Sequence, residues 1–359
     1  MAGSAGTGGD GGSAGTAGSG GSAGTGGDGG SGGSAGTGGD GGSGGSAGTG
    51  GSGGSGGSGG DGGSAGTGGS GGSGGSGGDG GSAGTGGDGG SGGSAGSGGA
   101  TSHFIAYGDT RTNANQHQEI VDAFAARNPE FVLHSGDLWD GYTSGSTQWK
   151  SILTKNGNIA TLLANNLFLV SQGNHETSSE VLGFSPTIVR GNSLTYSATI
   201  GNTFVVSLGY DPSSKASFLG QELAKPEASA AAWRFVFAHV PIYSSGEHGA
   251  NGVPAIESLC DQYGVALYFS GHDHIYERTH QIKAQSVADT GNALQVAKGT
   301  VYIVTGGGGA PLYSVNPISV SHTAESVRHY IDLVATSTLL TVKVLGSAGE
   351  NIDSFTVSR

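Results

Sequence analysis

The chain has 359 residues, 80 of them glycine, one cysteine and a net charge of −13. No basic stripe or basic excess is present, which argues against a dedicated nucleic-acid binder. One cysteine excludes an intrachain disulfide and a thiolate zinc site, and no apolar run is long enough to span a bilayer.

The chain divides at residue 100. Residues 1–100 hold 56 of the 80 glycines and otherwise almost only Ser, Ala, Thr and Asp, with no aromatic or branched aliphatic residue and no Lys or Arg. Such a segment cannot bury enough apolar area to offset its ordering entropy, so it is expected to be a disordered tether, spanning roughly 50–60 Å by flexible-chain scaling. Its repeats resemble a calcium β-roll only superficially, because no turn carries a large apolar residue. Residues 101–359 carry a charge of −7 once the tail's six aspartates are set aside, and are long enough for one large α/β domain. Met1 leads directly into the repeats with no leader sequence in view, which taken literally means a cytosolic protein. A long solvated tether suits an exported or surface-tethered protein better, and that location is the expectation.

In chain order, 103–107 is an apolar strand. Residues 114–127 place Ile120, Val121, Ala123 and Phe124 at helical spacing before Asn128-Pro129. A strand at 131–134, a helix at 148–163 and a strand at 167–171 complete a β-α-β-α-β order, which implies a parallel sheet with helical crossovers. Runs at 194–200 and 203–208 around Gly201-Asn202 read as a hairpin. Residues 218–223 and 255–263 read as helices and 234–238 and 265–270 as buried strands, and Cys260 reads as an inert core residue. The finish is mostly β, at 277–282, 300–305, 327–334, 338–344 and 351–357. The whole predicts an α/β fold of two mixed sheets packed as a sandwich flanked by helices.

Five strands end in polar groups: Tyr107-Gly108-Asp109, Ser135-Gly136-Asp137, Gly173-Asn174-His175-Glu176, Ala238-His239 and Gly271-His272-Asp273-His274. Ligand groups gather outside the carboxyl ends of parallel strands. Taken singly, a Gly-Asp is usually a turn, an Asn-His a loop cap and a lone His a satisfied core residue. Together, two carboxylates, an amide oxygen and three imidazoles make a mixed O/N set suited to a pair of divalent transition ions.

These motifs resemble those of the calcineurin-like metallophosphoesterases, over about residues 103–345. Ala238-His239-Val240-Pro241-Ile242-Tyr243 and Thr305-Gly306-Gly307-Gly308-Gly309-Ala310-Pro311-Leu312-Tyr313 look closer to the purple-acid-phosphatase branch. The resemblance implies that Asp137 bridges two metals, that Asp109 and His274 bind the first, that Asn174, His239 and His272 bind the second, and that His175 lies just outside them near a phosphate oxygen or the leaving group. Two positions depart from the pattern. Arg111 stands where members of the superfamily often have His, and Asp140 where purple acid phosphatases have a ligating Tyr. The first metal therefore lacks an expected ligand, for which His117, at the start of the first helix, is the leading candidate, followed by Asp140 and Tyr142. Without the Tyr the metals are open among Mn, Fe and Zn.

Arg111 can clamp a phosphate oxygen through its planar donors or pair with a surface carboxylate. His248, on a glycine-flanked loop, is a candidate substrate contact, and similar proteins carry a histidine in such a loop. The 306–309 run lacks the lysine and helix start of a P-loop and reads as a turn that lets backbone pass near the site. The expected function is dinuclear-metal-dependent hydrolysis of a small-molecule phosphate ester, monoesters favoured, by in-line attack of an activated water with His175 or His248 protonating the leaving oxygen. The alternatives are a phosphodiesterase and a tethered non-catalytic binding module with a vestigial metal site.

Overall fold

A computed structural model describes residues 101–140, 145–177, 179–181 and 194–359. Residues 1–100, read above as a tether, and Tyr142 lie outside them. The first half runs β1 (Ser102–Tyr107), α1 (Ala114–Ala125), β2 (Phe131–His134), α2 (Ser146–Thr154), α3 (Gly157–Ala164) and β3 (Phe168–Val170). The second runs β4 (Tyr196–Ile200), β5 (Thr203–Ser207), α4 (Ala216–Leu223), α5 (Pro226–Ala230), β6 (Trp233–Phe237), the small hairpin β7 (Tyr243–Ser244) and β8 (Ala250–Asn251), α6 (Pro254–Tyr263) and β9 (Leu267–Ser270). Then come β10 (Tyr276–Thr279), β11 (Gln281–Lys283), β12 (Ser286–Asp289), β13 (Ala293–Gln295), β14 (Val301–Thr305), β15 (Ser321–Glu325), β16 (Tyr330–Ala335), β17 (Leu339–Leu345) and β18 (Asn351–Ser358).

Two seven-stranded mixed sheets result, ordered β13-β18-β17-β16-β1-β2-β3 and β15-β10-β14-β9-β6-β5-β4. Strands β1, β2 and β3 are mutually parallel in the first sheet, as are β5, β6, β9 and β14 in the second. The parallel strands of the second sheet read as near-continuous apolar runs because both faces are covered. Phe235, Phe237, Leu267, Phe269 and Ile303 join the core shared with the first sheet, while the alternate residues Val236, Tyr268 and Tyr302 join a second core with Leu219, Leu223, Ile256 and Cys260 of the helices. In the first sheet Phe104 meets Phe235 across the sandwich, ring centroids 5.1 Å apart, and Tyr107 faces the other way onto Phe124 of α1 at 5.0 Å. Cys260 is fully buried and burial pushes its thiol up, as expected of an inert core residue.

The sandwich, the hairpin at Gly201-Asn202 and the parallel core are as expected from sequence. The helix expected over 148–163 is instead two: Asn156 is extended and Gly157 starts α3, a break that the apolar spacing on either side concealed. The single strand expected at 277–282 is likewise divided between β10 and β11. Helix α5 and the polar strands β12, β13 and β15 lack the apolar periodicity that would have announced them. Among the described residues, no helix is long and apolar enough to cross a membrane.

Candidate metal centre

The five polar strand ends converge on the carboxyl edges of the two sheets. Strands β1, β2 and β3 deliver Asp109, Asp137 and Asn174 from the first sheet, and β6 and β9 deliver His239, His272 and His274 from the second. Asp109, Asp137 and His272 follow glycines and adopt left-handed backbone, with φ of 57°, 56° and 69°. That conformation costs non-glycine residues of order 1–3 kcal/mol each and clusters at functional sites. The glycines before these candidate ligands make room for candidate ligands from other strands. A Cβ on Gly173 would lie 2.0 Å from Asp137 Oδ1, and one on Gly271 would lie 2.1 Å from Asp109 Oδ2.

Ligand atoms of Asp109, Asp137 and His239 all lie within 4.8 Å of one another, and the three residues are buried. His239 Nε2 is 2.9 Å from Asn174 Oδ1 and 3.3 Å from Asp137 Oδ1. His272 Nδ1 is 2.9 Å from the same Asn174 oxygen, and His274 Nε2 is 3.6 Å from Asp109 Oδ1. The tautomers follow from the outer partners. His239 Nδ1 lies 2.9 Å from the Ser135 carbonyl and His274 Nδ1 lies 2.6 Å from the Pro311 carbonyl. A carbonyl only accepts, so each Nδ1 donates and each neutral ring turns an Nε2 lone pair into the cluster.

Burial, first among the causes, lowers the pKa of His239, and brings those of His272 and His274 to about 4. The rings are therefore neutral near pH 7. His239 then presents a lone pair to a carboxylate oxygen and an amide oxygen, three acceptors facing one another with no proton among them. Burial, then repulsion from Asp137, pushes the Asp109 carboxyl well up, and its Oδ2 is buried without a hydrogen-bond partner. Burial also opposes ionisation of Asp137, but His239, His175 and Arg111 outweigh it and hold this carboxylate below the usual range. A cation resolves every one of these contacts, and the mixed O/N donor set suits a divalent transition ion. The residues present fit the group that the fold implies.

Around the cluster, Arg111 Nε donates to Asp137 Oδ2 at 2.9 Å. The backbone N–H of His175 donates to Asp137 Oδ1, and the His175 ring lies between Asp140, with Nδ1 2.8 Å from its Oδ2, and Asp137. His248 lies tilted against His272 with ring centroids 4.1 Å apart, and Tyr313 lies flat on His274 at 4.0 Å. Glu176, buried beneath, accepts from the backbone N–H groups of Asp137, Leu138 and Gly173. The glycine run does pass close by: Gly308 N donates to Gly108 O, Ala310 N donates to Asp109 O, and a Cβ on Gly306 would meet Asp273 O at 2.2 Å.

His117 does not join the cluster. One turn into α1, it points into the layer between helix and sheet, fully buried, with Nε2 3.3 Å from Tyr107 Oη and its ring against Trp149. Asp140 is half exposed and belongs to His175. The sequence reading left Asp273, Ser135, Pro311 and Tyr313 without roles. Asp273 stood in plain view within the Gly-His-Asp-His motif, whereas the carbonyls of Ser135 and Pro311 carry no side-chain signature.

A β-sandwich with buried carboxylates, an amide and imidazoles gathered on parallel strand ends defines a metal-centre hydrolase fold. Residues 102–276 match the model of the calcineurin-like phosphoesterases, and this region of the chain belongs to that family. It is 30% identical to purple acid phosphatase 18 of Arabidopsis thaliana over 164 residues, 40% of this chain and 36% of that protein. It is 25% identical to a nucleotide pyrophosphatase/phosphodiesterase of Hordeum vulgare over 275 residues, 65% and 73% of the two. The fold is similar to that of the purple acid phosphatase PPD1 of yellow lupin, Lupinus luteus, with a TM-score of 0.59 at 21% identity, covering 72% of this chain and 54% of that one. The chain spans 12% to 36% of the length of the phosphatases it matches at 30% identity and above.

Proposed function

We propose that residues 101–359 hydrolyse small-molecule phosphate esters, monoesters in preference to diesters, with two divalent transition ions (Mn, Fe or Zn). The observation that carries this reading is the meeting of His239, Asn174 and Asp137 as mutually facing acceptors on the strand ends of a calcineurin-like phosphoesterase fold. Asp109, Asp137 and His274 would hold the first ion, and Asp137, Asn174, His239 and His272 the second. When bound, the ions supply Lewis acidity toward phosphoryl oxygens and lower the pKa of water.

The protein's own groups do the rest. Arg111 offers planar donors to the equatorial oxygens where charge builds. His175 and His248 flank the cluster, each with Nδ1 on a carboxylate, and would deliver a proton from the other ring nitrogen to the departing oxygen. The neutral rings of His239 and His274, locked by backbone carbonyls, keep their lone pairs aimed inward. An exported or cell-surface location is part of the same proposal, supported by the composition of residues 1–100, and cell fractionation tests it.

The decisive assay compares p-nitrophenyl phosphate with bis(p-nitrophenyl) phosphate after reconstitution with Mn, Fe or Zn. Faster turnover of the monoester is expected. Preference for the diester would move the assignment to a phosphodiesterase, and retained metal with no turnover of either ester would leave a binding module.

A further inference from the structure

We propose that Arg111 is a built-in occupant of the first metal position, so that the two ions load unequally and the first-position ion must displace a guanidinium to enter. The proposal rests on the dinuclear reading above and deepens it.

Three contacts define the placement. Arg111 Nε donates to Asp137 Oδ2 at 2.9 Å, Nη2 lies 3.4 Å from His274 Nε2, and Nη1 lies 3.8 Å from Asp140 Oδ2. Arginine only donates, so the Nη2 contact is a hydrogen bond into the His274 lone pair. That agrees with the ring's Nδ1 donating to Pro311 O. The lone pair that would ligate an ion is thus already engaged, as is the outer oxygen of Asp137. The Arg111 side chain is 14% exposed, against 1% for Asp137, so the pair is shielded from solvent and its charges are little screened.

Among the described residues, the second position has no such competitor. Asn174 Oδ1, His239 Nε2, His272 Nδ1 and Asp137 Oδ1 face one another with no protein cation among them. An ion there meets the acceptors Asn174 Oδ1, His239 Nε2 and Asp137 Oδ1, with His272 Nδ1 beside them, and leaves Arg111 in place. An ion at the first position must break both Arg111 contacts and overcome the repulsion of a fixed positive charge. Once displaced, the guanidinium can swing only as far as its own tether, where Asp140, half exposed, remains to receive it. The same event would therefore complete the metal pair and release the phosphate-binding donors. Arg111 is on this view a positioning residue before substrate arrives and a substrate contact afterwards.

The test is a titration of chelator-stripped full-length protein with Mn²⁺, counting free ions by electron paramagnetic resonance, with no turnover involved. Wild type should bind one ion per chain tightly and a second at least tenfold more weakly. Arg111→Met, which keeps the length and removes the charge, should tighten the second step at least tenfold and leave the first unchanged. Arg111→Gln, which retains a donor for Asp137, should shift it the same way by less and serves if the Met variant does not fold. His239→Ala should abolish the tight step. Two equal steps in wild type, or a second step unmoved in both Arg111 variants, would overturn the proposal while leaving the hydrolase reading intact. Failure to bind any ion would overturn both.

Discussion

Asp273 accepts from His248 twice, from its backbone N–H at 3.0 Å and from Nδ1 at 2.9 Å. Asp273 is itself fully buried and also takes the Ser244 hydroxyl, so a fixed carboxylate aims a ring that is 46% exposed and packed against His272. With Nδ1 committed, Nε2 is the nitrogen left to serve a leaving oxygen. His248→Ala should lower kcat about 10²–10⁴-fold on an alkyl phosphate, the usual scale of general-acid catalysis. The loss on p-nitrophenyl phosphate, whose leaving group needs no proton, should be far smaller. Equal losses on the two substrates would remove the proton-donor role, and His175→Ala tested in parallel shows which ring carries it.

Asp137 touches Arg111, His239 and the backbone of His175 at once. Asp137→Asn replaces one acceptor oxygen by a donor amide pointed at neighbours that also donate or must ligate. Metal content by elemental analysis should fall below one ion per chain, and turnover of p-nitrophenyl phosphate should be lost. Full activity in this variant would rule out a bridging carboxylate.

Glu176 braces two ligand loops through three backbone N–H groups at 3.1, 3.2 and 2.7 Å. Leaving a buried donor unsatisfied costs about 1–3 kcal/mol, and water entering the space left can reach some of the three, so Glu176→Ala should destabilise by about 2–4 kcal/mol in denaturant melts. Burial, then the charge of Asp137, raises its carboxyl to about 8, against the pull of the three N–H groups. The folded metal-free protein then holds a proton that the unfolded chain, titrating near 4.5, has released. Stability from this group is complete below 4.5, declines as pH rises, and is gone above about 8. Glu176→Gln should flatten that decline, and an unchanged slope would show the carboxylate to be ionised throughout.

His117 has the opposite sign. Burial lowers it to about 3, so between its ordinary 6.5 and 3 the unfolded chain takes up a proton that the folded chain refuses. Its contribution to stability is present above 6.5 and is lost as pH falls toward 3. His117→Gln, which can still reach the Tyr107 hydroxyl, should move the acid-unfolding midpoint to lower pH and leave metal content as in wild type. A drop to one ion per chain would return His117 to the ligand set.

The site was legible where chemistry and chain order coincide. Gly108-Asp109, Gly136-Asp137 and Gly173-Asn174 announce themselves because a strand must stop and a small residue must precede the ligand. What was hidden lies across sequence distance or in the main chain. The carbonyls that lock His239 and His274 belong to residues chosen for other reasons, and the partner of Asp273 is 25 positions away. His117 lies apart from the other candidates because helical spacing says that a face exists, not which side chain on it looks toward the strand ends. The helix break at Asn156-Gly157 was visible as a residue pair, yet the apolar positions ran through it in phase.

Residues 306–309 touch the loop after β1 and the loop after β9 with main-chain atoms, and a methyl group on Gly308 would be 2.4 Å from Gly108 O. The gap between the two halves of the metal centre is thus gauged by peptide dimensions, which mutation cannot adjust. Side chains that line the cleft could therefore be exchanged without altering its width, which the main chain sets. Drift in chemistry at constant spacing is the evolutionary signature such a seam would leave.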